Sequence, residues 1–340
     1  MSRLPRLLGL FVACIVLLAC NLPSLTPTPI PVIIYTPLAP STPPPAPSGT
    51  PMPTPTIAHT TTPAEVHLSG PISYDVDSKG TAPEHRAPYG DSYKLNRFER
   101  PFTRQAMDYL PFLDIVRFRI IADATWYYVF VELNNSDVNN AELDPRYGVE
   151  LDLDRDGHGD YLIWAAPPFS TTWSADHVQV FADRNHDTGG VSPDRSDAPY
   201  PGDGYETLIF DGGRGDDPDL AWVRIDPTAA SVLQFAFKRT LVGSTFMWGV
   251  VADGGIKDPS KYYYNDRFTE EQAGSPEKNE KYYPIKEVYA VDNTCREAYG
   301  FTPTGYESLI CPKEEPTPAP RTPRPRQPTA TPTATKIIVY

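Results

Sequence analysis

The chain has almost no cysteine, four in 340 residues, and none of them forms a CxxC pair. The spacing excludes a zinc ribbon and a dithiol redox centre. No HExxH, GxSxG or phosphate-binding glycine loop occurs, and no cysteine–histidine pair has nucleophile logic. The chain therefore shows no sequence signature of a metalloprotease, an α/β-hydrolase or a nucleotide-binding enzyme. No segment sustains a helical period between caps, which argues against a helical bundle. The longest early apolar run, Leu7 to Ala19, has 13 residues, too short to cross a bilayer. From Asn21 to Pro63 there is no Asp, Glu, Lys or Arg, and 14 of 43 residues are proline.

That proline run and the Pro/Thr-rich stretch 312–340 lack the apolar surface needed to offset backbone ordering. Both are expected to be disordered, leaving residues 64–311 for a globular domain. The formal charge of -13 is unevenly spread, with +2 in residues 1–20 and +3 after Cys311. The middle thus carries -18. Such a domain repels nucleic acid and suits cations or neutral ligands.

The first 20 residues read as a signal segment: Arg3 and Arg6, then the apolar run, then Leu17-Leu18-Ala19-Cys20. This resembles the lipobox of bacterial lipoproteins, with leucine at the second position where smaller residues are commoner. The resemblance implies acylation of Cys20 and an exported domain held on the outer face of the membrane, at the cell surface. Cys14 follows too short an apolar run to serve. The stretch 21–63 then becomes a stalk reaching at most about 130 Å in polyproline geometry. In an exported chain the remaining pair, Cys295 and Cys311, is expected to be a disulfide contributing about 3 kcal/mol.

The middle reads as strands. Ile115–Ile121 alternates apolar and charged residues, and Trp126–Leu133 is aromatic and β-branched, with Ala122-Asp123-Ala124 as the turn between them. Further strands are expected at Tyr147–Leu153, Tyr161–Ala165, His177–Phe181, Glu206–Phe210, Ala221–Ile225, Leu233–Phe237 and Phe246–Ala252. Weak helical signals fall at Phe102–Leu110, Thr240–Gly243 and Thr269–Gln272, and 259–283 reads as mostly irregular. The expected fold is all-β: an antiparallel, jelly-roll-like β-sandwich with long acidic loops.

One run carries chemistry. Asp152, Asp154, Asp156, His158 (through its backbone carbonyl) and Asp160 place oxygens at alternate positions, with Gly157 at the sharp turn. The spacing resembles EF-hand-type and dockerin-like calcium loops. Ile163 stands where those loops carry a terminal glutamate, and the flanks are strands. Two carboxylates about 5 Å apart repel by roughly 3 kcal/mol at an effective dielectric of 20. Converging acids therefore need a cation or must splay apart. Asp183, Asn185 and Asp187 form a weaker copy, with Asp194 at its twelfth position. The stretch Asp211–Asp219 lacks ligand spacing and reads as a plain loop.

Taken together, Asp114–Leu133, Tyr147–Asp160, Leu233–Gly243 and Phe246–Asp253 resemble the DOMON and carbohydrate-binding family 9 group of sandwich domains. The resemblance spans about 140 residues. It implies a sandwich, often with calcium, that binds sugars or in some members haem. Haem is poorly supported, because Met247, the axial candidate, sits beside Trp248 in a strand. Of the five tryptophans, Trp173 lies in a polar run and is the expected ligand contact. Tyr262-Tyr263-Tyr264 and Tyr282-Tyr283 offer a second, less favoured stacking surface. The expected function is a lipid-anchored, calcium-stabilised, non-catalytic module binding an extracellular glycan or surface protein, with no nucleic-acid partner. A structural or adhesive lipoprotein and a glycoside hydrolase with paired carboxylates are the alternatives.

Overall fold

A computed structural model describes residues 57–87, 100–104, 106–188, 204–266 (263–266 by backbone alone) and 290–312. The lipobox with Cys20, stalk residues 21–56, Asp194, Thr269–Gln272, Tyr282, Tyr283 and the tail from 313 onward lie outside them, as do the side chains of Tyr263 and Tyr264.

Thirteen strands are described, in chain order β1 (Ser73–Tyr74), β2 (Ile115–Ala122), β3 (Trp126–Leu133), β4 (Arg146–Asp152), β5 (Tyr161–Ala165), β6 (Val178–Ala182), β7 (Thr207–Asp211), β8 (Arg214–Gly215), β9 (Ala221–Asp226), β10 (Ala229–Lys238), β11 (Phe246–Asp253), β12 (Val291–Asn293) and β13 (Glu297–Tyr299). They build two antiparallel sheets. One has the order β1-β2-β3-β10-β9, the other β12-β11-β4-β5-β6-β7-β8, with β13 also on β11. The fold is an all-β sandwich. Among the described residues the one α-helix, α1 (Arg239–Val242), lies where the Thr240–Gly243 signal stood.

Between the sheets, Phe118 of β2 packs on Trp248 of β11 at 5.3 Å, and Tyr127 of β3 on Phe246 at 5.1 Å. Val129, Val131, Val149, Leu151 and Ile163 fill the same layer, all fully buried. The β2–β3 hairpin is closed by Asp123, whose carboxylate accepts both Thr125 N–H and Trp126 N–H at 2.7 Å. That is the local reason an aspartate stands in the turn.

β3 is buried along its whole length, not on alternate residues. On its outward face Tyr128 meets residues 57–70, and Glu132 pairs with Arg117 and Arg119 of β2. Ala64 N–H donates to Tyr128 Oη at 3.0 Å, and His59 stacks obliquely on Trp222 of β9 at 4.6 Å. Glu65 pairs with the buried Arg224 at 2.5 Å. Gly70, at φ +95°, closes the strap against β2, where a Cβ would stand 2.6 Å from Ile121 Cγ2. Packing thus begins by residue 57, inside the proline-rich composition.

Two local expectations change. Phe102–Leu110 is no helix: Met107 takes φ 54°, and Phe102 bridges Tyr109 antiparallel, which closes a turn instead. Pro259–Asp266, expected irregular, is a 3₁₀ helix that packs Tyr262 edge-on to Trp164 at 5.0 Å. The sixth strand starts one residue later than its pattern, because His177 sits at φ 63°.

Candidate functional site

The loop joining β4 to β5 is organised by its own aspartates. Asp152 ends β4, fully buried, and accepts Arg155 N–H at 2.6 Å and Gly157 N–H at 3.2 Å. Arg155 and Gly157 both take positive φ, 66° and 99°. Asp154 accepts Asp156 N–H at 3.2 Å, and Asp156 accepts His158 N–H at 2.8 Å. Asp160 closes the loop by accepting Leu153 N–H at 2.6 Å. The alternate spacing therefore produces a chain of side-chain-capped turns that folds the acids back on one another.

Carboxylate oxygens of Asp152, Asp154 and Asp160 come within 4.8 Å of one another. Asp154, Asp156 and the imidazole of His186 form a second such group, sharing Asp154. His186 belongs to the other acidic run. Its backbone is placed by Asp183, which accepts Asn185, His186 and Thr188 N–H at 3.2, 2.8 and 2.9 Å, while Asp183 N–H donates to Asp160 O at 3.0 Å. The two runs, read as separate loops in sequence, thus meet at one place. Asp183 and Asp187 are in neither group, and Asp183 is spent on backbone donors. The imidazole of His158 is also in neither group; its Nδ1 is buried with no hydrogen-bond partner.

The electrostatics are only partly compensated. Burial pushes the Asp152 carboxyl up to about 6 against the opposing pull of Arg296 and the loop N–H groups. Asp160 is raised too, first by burial and then by the charges of Asp154 and Asp156, with Leu153 N–H and His186 opposing. A site of this kind favours either protons or a hard cation with oxygen ligands. The donor set is chemically suited to calcium at Asp152, Asp154 and Asp160. The nitrogen of His186 is not a typical calcium ligand.

Behind the loop lies a residue the sequence did not flag. Arg296 is fully buried. Its guanidinium donates to Asp152 Oδ2 at 3.1 Å and to Gly157 O at 2.9 Å, and pairs with Glu150 Oε1 at 3.0 Å. Tyr205 Oη–H donates to the same Glu150 oxygen at 2.7 Å, so close to Gly159 that a Cβ there would clash at 1.8 Å. Arg296 is held in turn by the disulfide of Cys295 and Cys311, S–S 2.06 Å, and by backbone bonds to Leu309 and Cys311. Its one sequence signal was adjacency to a bridging cysteine.

Trp126, Trp164, Trp222 and Trp248 are buried. Trp173 is half-buried, with Arg224 over its ring at 4.4 Å and its Nε1–H donating to Ala64 O at 3.1 Å. It packs the strap and is not an open platform; the polar run around it gave no sign of that long-range partner. Tyr262 is buried and donates to Asp253 at 3.0 Å. Met247 is buried in β11 opposite Asp152. A cleft of about 510 Å³ opens on the outer side of the larger sheet. Arg146, Asp176, His177, Gln179, Asp211 and Arg214 line it, with Gln179 Nε2–H donating to Asp211 at 3.1 Å.

The fold and site define an antiparallel β-sandwich with a disulfide-backed acidic loop cluster and a polar cleft. No protein-family model, curated protein or solved structure matches the chain.

Proposed function

We propose that this chain is an exported, lipid-anchored and non-catalytic binding module whose sandwich is stabilised by calcium. Its ligand is an extracellular polar molecule, with carbohydrate the leading class. The convergence of Asp152, Asp154 and Asp160 carries the calcium reading, because the acids are folded together and their charge is only partly met by Arg296. Calcium would be held by those three carboxylates, of which Asp152 is buried, and would supply positive charge where they converge. Ligand binding is assigned to the polar cleft, whose carboxylate, amide and guanidinium groups match hydroxyl and carboxylate partners. The likeness to DOMON and carbohydrate-binding family 9 domains supports the same reading. The lipid anchor rests on Leu17–Cys20.

EDTA is expected to lower the melting temperature by several degrees, with calcium restoring it; no shift removes the calcium claim. A glycan array at high protein concentration is expected to give hits that Arg214→Ala abolishes. A blank array favours the structural or adhesive lipoprotein. Cys20→Ser is expected to move the protein from the membrane fraction to the soluble one.

A further inference from the structure

The polar cleft holds opposite charges that do not neutralise each other. Strands β7 and β8 are joined by Gly212 and Gly213, both at positive φ, 56° and 83°. That two-residue turn sets Asp211 directly opposite Arg214, and both residues line the cleft. Directly opposed residues of an antiparallel pair bring their Cβ atoms to about 5 Å, close enough for an ion pair. No ion pair forms between these two. Asp211 is engaged instead by Gln179 of β6, whose Nε2–H donates to its Oδ1 at 3.1 Å. Its Oδ2 accepts from no described residue, and the Arg214 side chain has no partner among the described residues. Arg146, the other guanidinium of the cleft, is spent on Asp144, which it holds with two nitrogens, both at 2.8 Å.

A ligand suited to this arrangement presents an anion and a hydrogen-bond donor side by side. Arg214 offers a fork of N–H donors to a carboxylate, and Asp211 beside it accepts from a hydroxyl. A hexuronic acid unit has that pair on neighbouring ring carbons, the carboxylate on one and a hydroxyl on the next. Asp176 and His177, in the turn into β6, line the same cleft and have no side-chain partner among the described residues. They lie about 10 Å from β8 at two strand spacings, where the next unit of a glycan would reach them. Small residues, Ala166 and Gly212, leave the cleft open; a Cβ at Gly212 would meet nothing within 4 Å. Among the described residues no Phe, Tyr or Trp lines it. A neutral sugar, which gains by laying its C–H face on an aromatic ring, finds no such surface here. A polyuronate would set a row of carboxylates against a domain carrying -18. One unpaired guanidinium matches one carboxylate.

We infer that the cleft binds a glycan carrying an isolated uronic acid, its carboxylate on Arg214 and the neighbouring hydroxyl on Asp211. Gln179 holds Asp211 in place, so the acceptor stands ready beside the guanidinium. This assignment rests on the cleft being the ligand site and names the class of sugar it takes. It requires nothing of the calcium loop.

The test is titration calorimetry on the full chain, in micelles of a detergent without a sugar head group. The probes are the methyl glycosides of glucuronic and galacturonic acid, the methyl esters of both, and the methyl glycosides of glucose and galactose. At least one free acid is expected to bind about tenfold or more tightly than its ester and its neutral counterpart, the size of one charge-assisted contact. Arg214→Ala, at an exposed position, is expected to remove that advantage without moving the melting temperature. Arg214→Lys keeps the charge without the fork and should fall between the two. Equal affinity for acids, esters and neutral glycosides, lost on Arg214→Ala, keeps the cleft as the ligand site and overturns the uronic acid. Uronate binding indifferent to Arg214→Ala overturns the inference as well and sets the ligand elsewhere. Failure of every probe to bind overturns it too; glycan-array hits that still depend on Arg214 would then leave the cleft reading standing alone.

Discussion

Asp152 and Asp219 are both fully buried, yet their surroundings treat them oppositely. Asp219 ends the acidic stretch after β7 and sits under the strap. It accepts His59 Nδ1 at 2.8 Å, Thr60 N–H and Oγ–H at 3.0 and 2.9 Å, and Thr61 N–H at 2.9 Å. Burial alone would raise its carboxyl, but those donors outweigh burial and hold it below the usual range. Asp152 has two N–H donors and Arg296, and Arg296 is shared with Glu150; burial wins and the carboxyl rises to about 6. The charge state of a buried acid follows the balance between its desolvation and the donors aimed at it: donors win at Asp219, whereas burial wins at Asp152 and also at Asp253, which accepts four hydrogen bonds. A fully served aspartate is a structural clamp. An underserved one, with Asp154 and Asp160 beside it, is a place where a cation gains energy.

The sharpest way to break this contrast is at Arg296. Arg296→Met removes the buried cation shared by Glu150 and Asp152, with an expected loss of about 3–5 kcal/mol in urea melts. Adding Glu150→Gln and Asp152→Asn to that variant should return much of it, because the penalty is the buried charge left without its cation. Next in size is the bridge that positions Arg296: reduction of Cys295–Cys311, read as a shift in the unfolding midpoint, should cost about 3 kcal/mol. Asp219→Ala is smaller, about 1–3 kcal/mol, since the freed donors at half-exposed His59 regain water. Its signature is local: protease cleavage within 57–66 should quicken while the acidic loop keeps its behaviour.

The smallest effect sharpens the comparison with a third buried acid. Asp114 accepts Ser78 N–H at 3.1 Å, Asn134 Nδ2–H at 2.8 Å and Tyr109 Oη–H, yet burial carries it from 3.8 to about 6. A raised carboxyl favours the protonated fold, so its contribution is full below about pH 4 and is lost as pH rises to about 6. Asp219, being lowered, has the opposite sign and loses stability as pH falls. Carbon-13 titration of the Asp114 carboxyl should show a midpoint near 6. A midpoint near 3.8 would contradict the assignment.

Alternation and β-branched content located β3 and β5 to the residue and most other long strands within one or two, because the period of two is local chemistry. The cysteine pair and the burial of four tryptophans followed from composition in the same way. The alternate oxygens of 152–160 showed the loop that would gather acids. Nothing local showed that His186 would join Asp154 and Asp156, or that Asp183 would be consumed by its own turn. Trp173 looked exposed because its neighbours are polar, whereas the partner that covers it is Ala64, 109 residues away.

By itself the sequence determined an all-β sandwich, its disulfide, and where negative charge would concentrate, since strand period, cysteine count and acid spacing need no distant partner. Only the tertiary structure decided which acids are clamps and which are underserved. That depends on donors arriving from far along the chain, His59 on Asp219 and Arg296 on Asp152, and a hydrogen bond across 160 or 144 residues leaves no local pattern to read.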